Sequence, residues 1–280
     1  MNDFIDSLKN EGISINTIKA YSGHISQYFN WFKDSFGHNP EKLYRENIIE
    51  YKSFLLNIKN QSGKTVNAKL SALNKYNQFL VDLKIQNSIV ITKKDFVKIQ
   101  VQYASPTTIS KKEVDAFRQN ILENEPKRNY AIVTLLTYSG LRISEALNLK
   151  KNDINLTSKE IIVKSGKGDK QRIVIINDKI IIATKEYLKE RETNHFKDSE
   201  NLFVSRKSDK VDKSTINKVF QKYSDKITPH SLRHYFCTLA LENNWSVYEV
   251  ASQVGHSNIH TTLLYTNPSI EMMKEKANRL

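Results

Sequence analysis

The chain is poor in the residues that staple, kink or span. Among its 280 residues are one cysteine, five prolines and eight glycines. A lone Cys237 excludes an intramolecular disulfide framework and a cysteine zinc cluster, and fits a reducing compartment. No run approaches the roughly 18 apolar residues of a membrane span. The first residues are mixed with acidic groups and lack an apolar core, so no signal peptide is expected. No glycine-rich Walker run and no cluster of carboxylates suited to two metal ions is present. Acidic residues are the scarcer charge: 30 against 43 basic ones, a net charge of +13. With 39% hydrophobic and 10% aromatic residues there is enough for a core. The expectation is a soluble, cytoplasmic, basic protein whose partner is a polyanion, either nucleic acid or an anionic membrane surface. Only nine of the 43 basic residues are arginine. Any single lysine therefore reads first as a solvated surface charge, and an arginine carries more information.

Apolar periodicity organises the chain. Ile18, Tyr21, Ile25, Tyr28, Phe29 and Phe32 recur at helical spacing behind Ser14 or Asn16 as N-cap. Tyr51, Phe54, Leu55 and Ile58 make a second stripe, and Val66, Leu70, Leu73, Tyr76, Leu80 and Leu83 a third. Gly37 and Pro40, then Gln61, Ser62 and Gly63, punctuate between them. Residues 1–102 thus read as a helical bundle. Residues 103–108, aperiodic and containing Pro106, read as a linker. Residues 109–268 read as a second, mainly helical domain, and both halves are net basic. The helical pattern there breaks at Ser139 and Gly140. The β-branched runs 160–164 and 171–176 flank a glycine-rich turn at 165–170 and predict a hairpin. Residues 269–280 read as an amphipathic tail helix with Ile270, Met273 and Ala277 along one side. The fold class expected is mainly α with a small β-hairpin.

Several side chains could carry chemistry. Four of the seven histidines, His230, His234, His256 and His260, lie within one stretch. His230 and Arg233 are one helical turn apart behind Pro229, an arrangement suited to an anion. The plain alternative is a polar helix face. Arg142 and Glu145 read as a helical pair, either an ordinary surface ion pair or an arginine held with its fork free for phosphate. Lys167 sits at the hairpin tip between two glycines, where a solvated lysine is the plain reading. Tyr265 is one of 13 tyrosines. His256 and His260 are four apart, but no HExxH arrangement joins them, so no metal is expected.

Taken in order, the stretches GLRISE at 140–145, SGKGDKQR at 165–172, TPHSLRHYFCT at 228–238 and GHSNIHTTLLYT at 255–266 resemble the tyrosine recombinase (phage integrase) family, in particular its short, two-domain Xer-like members. In the first half, 16–32 and 63–76 look like helices of the family's SAM-like core-binding domain. The resemblance implies a helical core-binding domain at 1–102, a catalytic domain at 109–268, and a tail at 269–280 that is exchanged between subunits of a homotetramer. It places the catalytic set on Arg142, Lys167, His230, Arg233, His256 and the nucleophile Tyr265, with Glu145 supporting them and Lys64 and Lys69 contacting DNA. It implies neither metal nor cofactor. The activity implied is site-specific cutting and rejoining of double-stranded DNA through a 3′-phosphotyrosyl intermediate, resolving dimers or transposon cointegrates in the bacterial cytoplasm, at nucleoid or plasmid. A partner recombinase or accessory DNA-binding proteins remain open. Alternatives are a mobile-element integrase or invertase, type IB topoisomerase-like strand passage, and a DNA-binding protein that has lost catalysis. The chain departs from the family pattern at Asn267, at Asn243, Asn244 and Trp245, and at Ser252, Gln253 and Val254, none of them among the six.

Overall fold

In the computed structural model, residues 1–99, 109–164, 171–256, 262 and 278 are described. The chain divides into two units, Met1–Val101 and Gln102–Leu280. The expected linker at 103–108 and almost all of the expected tail helix at 269–280 lie outside the described residues.

The first unit is all helical: α1 (Asn2–Asn10), α2 (Ile15–Phe36), α3 (Arg45–Ser53) and α4 (Gly63–Asp82). The two long helices start where serine can cap them. The Ser14 hydroxyl accepts the Thr17 N–H, and Ser62 accepts that of Thr65, each at 3.2 Å. Gly37, at φ 81°, ends α2 in a left-handed turn. Phe54–Ile58 continues α3 as a wider π-helical turn. The apolar stripes close on one another: Phe4, Leu8, Ile25, Tyr28, Tyr51, Val66, Leu70 and Leu73 are all buried. The Tyr28 and Tyr51 rings meet edge to face at 5.1 Å.

The second unit follows with α5 (Lys111–Asn124), α6 (Lys127–Ser139), α7 (Ile143–Leu147), β1 (Ile154–Asn155), β2 (Glu160–Lys164), β3 (Gln171–Ile175), α8 (Asp178–Arg191), α9 (Lys213–Tyr223), α10 (Pro229–Glu242) and α11 (Val247–Val254). Helix α6 is buried nearly all round and packs against α5, α8 and α10, as an apolar helix at the centre of a domain must. The sheet is antiparallel in the order β1-β2-β3, with Ile161 opposite Val174 and Lys164 opposite Gln171. Ile161, Val163 and Val174 face the core, while Ile162, Ile173 and Ile175 are exposed, the alternation of a one-sided sheet. Residues 165–170 between the strands lie outside the described residues. Phe236, Cys237 and Ala240 of α10 pack on Val250 and Val254 of α11. Burial pushes the Cys237 thiol up to about 11, which makes it an inert core residue. Among the described residues no helix is long and apolar enough to cross a membrane.

Candidate active site

The site is built around the end of α6. Gly140 stops that helix at φ 68°. A Cβ there would stand 2.5 Å from Phe236 Cδ1 and 2.7 Å from Val254 Cγ1. Both the backbone angle and the close packing therefore demand glycine. The Gly140 carbonyl accepts a hydrogen bond from Arg233 Nη1 at 2.7 Å, which fixes α10 to the α6–α7 turn.

Arg142 is the N-cap of α7 rather than a member of its interior. Glu145 closes back on it. Oε2 accepts the Arg142 backbone N–H at 2.8 Å and Oε1 accepts Nη1 at 2.9 Å. The Arg142 side chain keeps 48% of its surface. On β3, Arg172 donates through Nη1 and Nη2 to the same two carboxylate oxygens, at 3.1 and 2.9 Å. Its Nε donates to the Gln253 carbonyl at the end of α11, at 3.2 Å. Burial works to raise the Glu145 pKa, but the hydrogen bonds from Arg172 and Arg142 outweigh it and hold the carboxylate below its ordinary value.

Arg233 is 5% exposed, and its Nη2 has no hydrogen-bond partner among the described residues. Burial, and then the neighbouring positive charge of Arg142, lower its pKa to about 10, with Glu145 opposing. It stays protonated at neutral pH. Two guanidiniums, Arg142 and Arg172, thus share one carboxylate, and the third, Arg233, lies close enough to feel the charges of Arg142 and Glu145. The surplus positive charge and the unfilled Nη2 donor describe a site for an anion with several oxygens.

Three histidines border it. Thr228 caps α10, and Pro229 occupies its first turn. His230 and His234, one turn apart, meet Nε2 to Nε2 at 2.7 Å, with rings edge to face at 4.3 Å. One ring nitrogen donates and the other accepts. Burial, then the proximity of His230 and Arg233, push His234 down to about 4. His256 follows the left-handed Gly255 at the end of α11, and its Nδ1 lies 2.8 Å from the Thr262 hydroxyl. Burial, then Arg233 and Arg142, push His256 down to about 4. It is a neutral imidazole at physiological pH.

Arg142, Glu145, His230, Arg233 and His256 are therefore brought to one place. Lys167 and Tyr265 lie outside the described residues. In the first unit Lys64 is exposed at the start of α4, in keeping with a surface lysine. Lys69 is not a surface lysine: it is 5% exposed, and burial lowers its pKa. A side chain so enclosed offers little to a phosphate. Sequence reasoning missed Arg172 and Gln253, and it named His234 as a candidate without giving it a role. The Gln253 amide grips β3, accepting the Ile175 N–H at 3.0 Å and donating to the Ile175 carbonyl at 2.8 Å. The available signals were the scarcity of arginine, for Arg172, and one-turn spacing from His230, for His234. Among the described residues no three His, Cys, Asp or Glu side chains are disposed to hold a metal ion.

Residues 107–272 match the phage integrase family, and residues 1–87 match the phage integrase N-terminal SAM-like domain. The chain is 50% identical to the TnP I resolvase of Bacillus thuringiensis, over 99% of this chain and 98% of that protein. It is 31% identical to the tyrosine recombinase XerA of Thermococcus onnurineus, over 95% of this chain and 89% of that one. A crystal structure of XerA recombinase superposes with a TM-score of 0.54 at 29% identity, covering 99% of this chain and 95% of that one. The Tn1549 transposon integrase in complex with transposon right end DNA shares the fold, with a TM-score of 0.73 at 19% identity over 99% and 98% of the two chains. Related along nearly its whole length to such enzymes, the chain belongs to the phage integrase family and is a tyrosine recombinase.

Proposed function

We propose that this recombinase acts on double-stranded DNA and resolves transposon cointegrates, with Tyr265 as nucleophile and Arg142, Lys167, His230, Arg233 and His256 as its catalytic partners. The observation that carries the reading is the anion site: Arg142 is held on Glu145, Arg233 on the neighbouring Gly140 carbonyl, and Arg233 Nη2 is left with no partner among the described residues. The 50% identity to a resolvase supports the biological task.

The chemistry follows from charge. Attack on a phosphodiester places added charge on the non-bridging oxygens, and two guanidiniums can hold those oxygens at any working pH. A phenol of pKa about 10 is ionised in only about one molecule in a thousand at pH 7. Tyr265 therefore needs a base, and in this reading His230 takes its proton. His256, neutral and with its Nδ1 2.8 Å from the Thr262 hydroxyl, is the second donor to a phosphate oxygen in this reading. Lys167 protonates the departing 5′ oxygen. The Tyr265 Oη–P bond forms as the P–O5′ bond breaks, leaving a 3′-phosphotyrosyl ester and a 5′-hydroxyl. One phosphodiester replaces another, so a second strand's 5′-hydroxyl can reverse the step without an energy donor.

In this reading residues 1–102 form the core-binding domain and 109–268 the catalytic domain, with Lys64 among the phosphate contacts. Four copies assemble on two sites, each passing its 269–280 tail to a neighbour, in the bacterial cytoplasm. Covalent trapping tests the reading. The protein and a Tyr265→Phe variant are incubated with sheared DNA from the source organism, without metal or ATP, and detergent-resistant adducts are captured and their ends sequenced. Adducts formed by the wild type alone support the assignment and identify the site. Binding without adducts favours the non-catalytic alternative. Relaxation of a plasmid without joining of two sites favours strand passage of the topoisomerase kind.

A further inference from the structure

Arg172 takes no part in the steps above, yet it touches three of the segments that carry them. It lies on β3, five residues after Lys167 in sequence. Its fork holds both oxygens of Glu145, at 3.1 and 2.9 Å, and its Nε holds the Gln253 carbonyl at 3.2 Å. Glu145 in turn fixes the backbone and the guanidinium of Arg142. The Gln253 carbonyl lies just before the turn into His256. A Cβ at Gly255 would stand 2.8 Å from Arg172 Cζ, so the guanidinium is seated directly against that turn. The Arg172 and Glu145 side chains are each only 16% exposed, which makes this a largely desolvated pair in a fixed geometry. The charges also matter. Glu145 facing Arg142 alone would form a neutral pair. With Arg172 on the same carboxylate, the trio keeps a net positive charge.

We propose that Arg172 is a positioning residue for strand cleavage: it holds and neutralises Glu145, so that Arg142 meets the scissile phosphate as an aligned cation, and it ties that alignment to the His256 turn. The inference rests on the assignment of Arg142 to the phosphate. Lysine is not equivalent, because its ammonium is a point charge without the planar fork that spans two carboxylate oxygens while Nε reaches a carbonyl on another element.

Two measurements test it, one without DNA. In Arg172→Met the Arg142 amide, no longer shielded by a held Glu145, exchanges its hydrogen about tenfold faster; unchanged protection overturns the proposal. With DNA captured by the wild type, the rate of covalent adduct formation falls about 10²-fold, the scale of a small misplacement of reacting groups, while affinity for the same DNA stays within about threefold. Adding Glu145→Gln to Arg172→Met removes the carboxylate that would otherwise tie up Arg142, and recovers about tenfold of the rate, a coupling that a merely structural role lacks. Wild-type cleavage by Arg172→Met, or a double variant no faster than the single one, overturns the proposal. Should Arg172→Met melt early, Arg172→Lys decides: a folded protein with cleavage down at least tenfold supports positioning, and full cleavage refutes it. If the wild type forms no adduct at Tyr265, the reaction assignment fails, and amide exchange still reports on Arg172.

Discussion

Arg233 donates to the Gly140 carbonyl with one terminal nitrogen and leaves the other without a partner among the described residues. A cation buried to 5% exposure in this way carries a desolvation cost that an incoming anion can offset. Arg233→Lys keeps the charge and loses the fork: an ammonium spent on Gly140 has no second rigid arm for phosphate. Covalent adduct formation should fall by roughly 10³–10⁵-fold, the range for a well-placed arginine in phosphoryl transfer. A quench-flow or gel time course with trapped-site DNA measures this, and a loss below tenfold would contradict the role.

Two glycines with similar backbone angles should fail differently. At Gly140 an added methyl meets Phe236 and Val254, both in the core between α10 and α11. Gly140→Ala should lower stability by about 1–3 kcal/mol through strain and overpacking. At Gly255 the methyl meets the Arg172 guanidinium instead. That side chain can swing aside, so Gly255→Ala should cost less stability and more cleavage. Chemical denaturation and adduct assays on the pair separate the two effects, and parallel losses in both would refute the distinction.

The contrast shows what the sequence could and could not reveal. Caps are local: Ser14 and Ser62 each precede a threonine by three residues, and the pattern reads directly. The hairpin strands were legible for the same reason, their β-branched runs lying only six residues apart in sequence and pairing with one another. Arg142 was read as a helical pair with Glu145. The contact exists, but as a cap, because Gly140 ends α6 and the chain re-enters helix only at Ile143. Arg172 was illegible because its partners are remote in sequence, Glu145 on α7 and Gln253 on α11. Gln253 looked like a departure from pattern until its amide was found paired with the Ile175 backbone. Lys69 did leave a trace: it falls three after Val66 and four before Leu73, on the buried stripe of α4.

Protonation gives a prediction with a defined sign. His234 and His256 have folded-state pKa values pushed down to about 4, against an ordinary value of 6.5. The groups facing His256 are Arg233, Arg142, His234 and Arg172, all of which oppose a further positive charge. Below 6.5 the unfolded chain takes up protons that the folded site refuses, so stability falls as pH drops from 6.5 towards 4 and is insensitive to these groups above 6.5. Thermal melts across that window should show the decline, and His256→Gln should flatten part of it. Imidazole proton resonances of His234 and His256 that titrate near 6.5 in the folded protein would contradict the assignment.

The two lysines of α4 should part company in the same salt titration. Lys64 is exposed, and its replacement by alanine removes one phosphate contact if it makes one, lowering the salt-dependence slope of DNA binding by about one unit. Lys69 is enclosed, next to the His24 ring whose pKa it helps to lower, so its charge is held in place at a cost to folding. Lys69→Met keeps the length and removes that cost. It should raise the melting temperature and leave the salt slope unchanged. A fall in slope for Lys69→Met, equal to that of Lys64→Ala, would mean that the side chain leaves its buried position when DNA is bound.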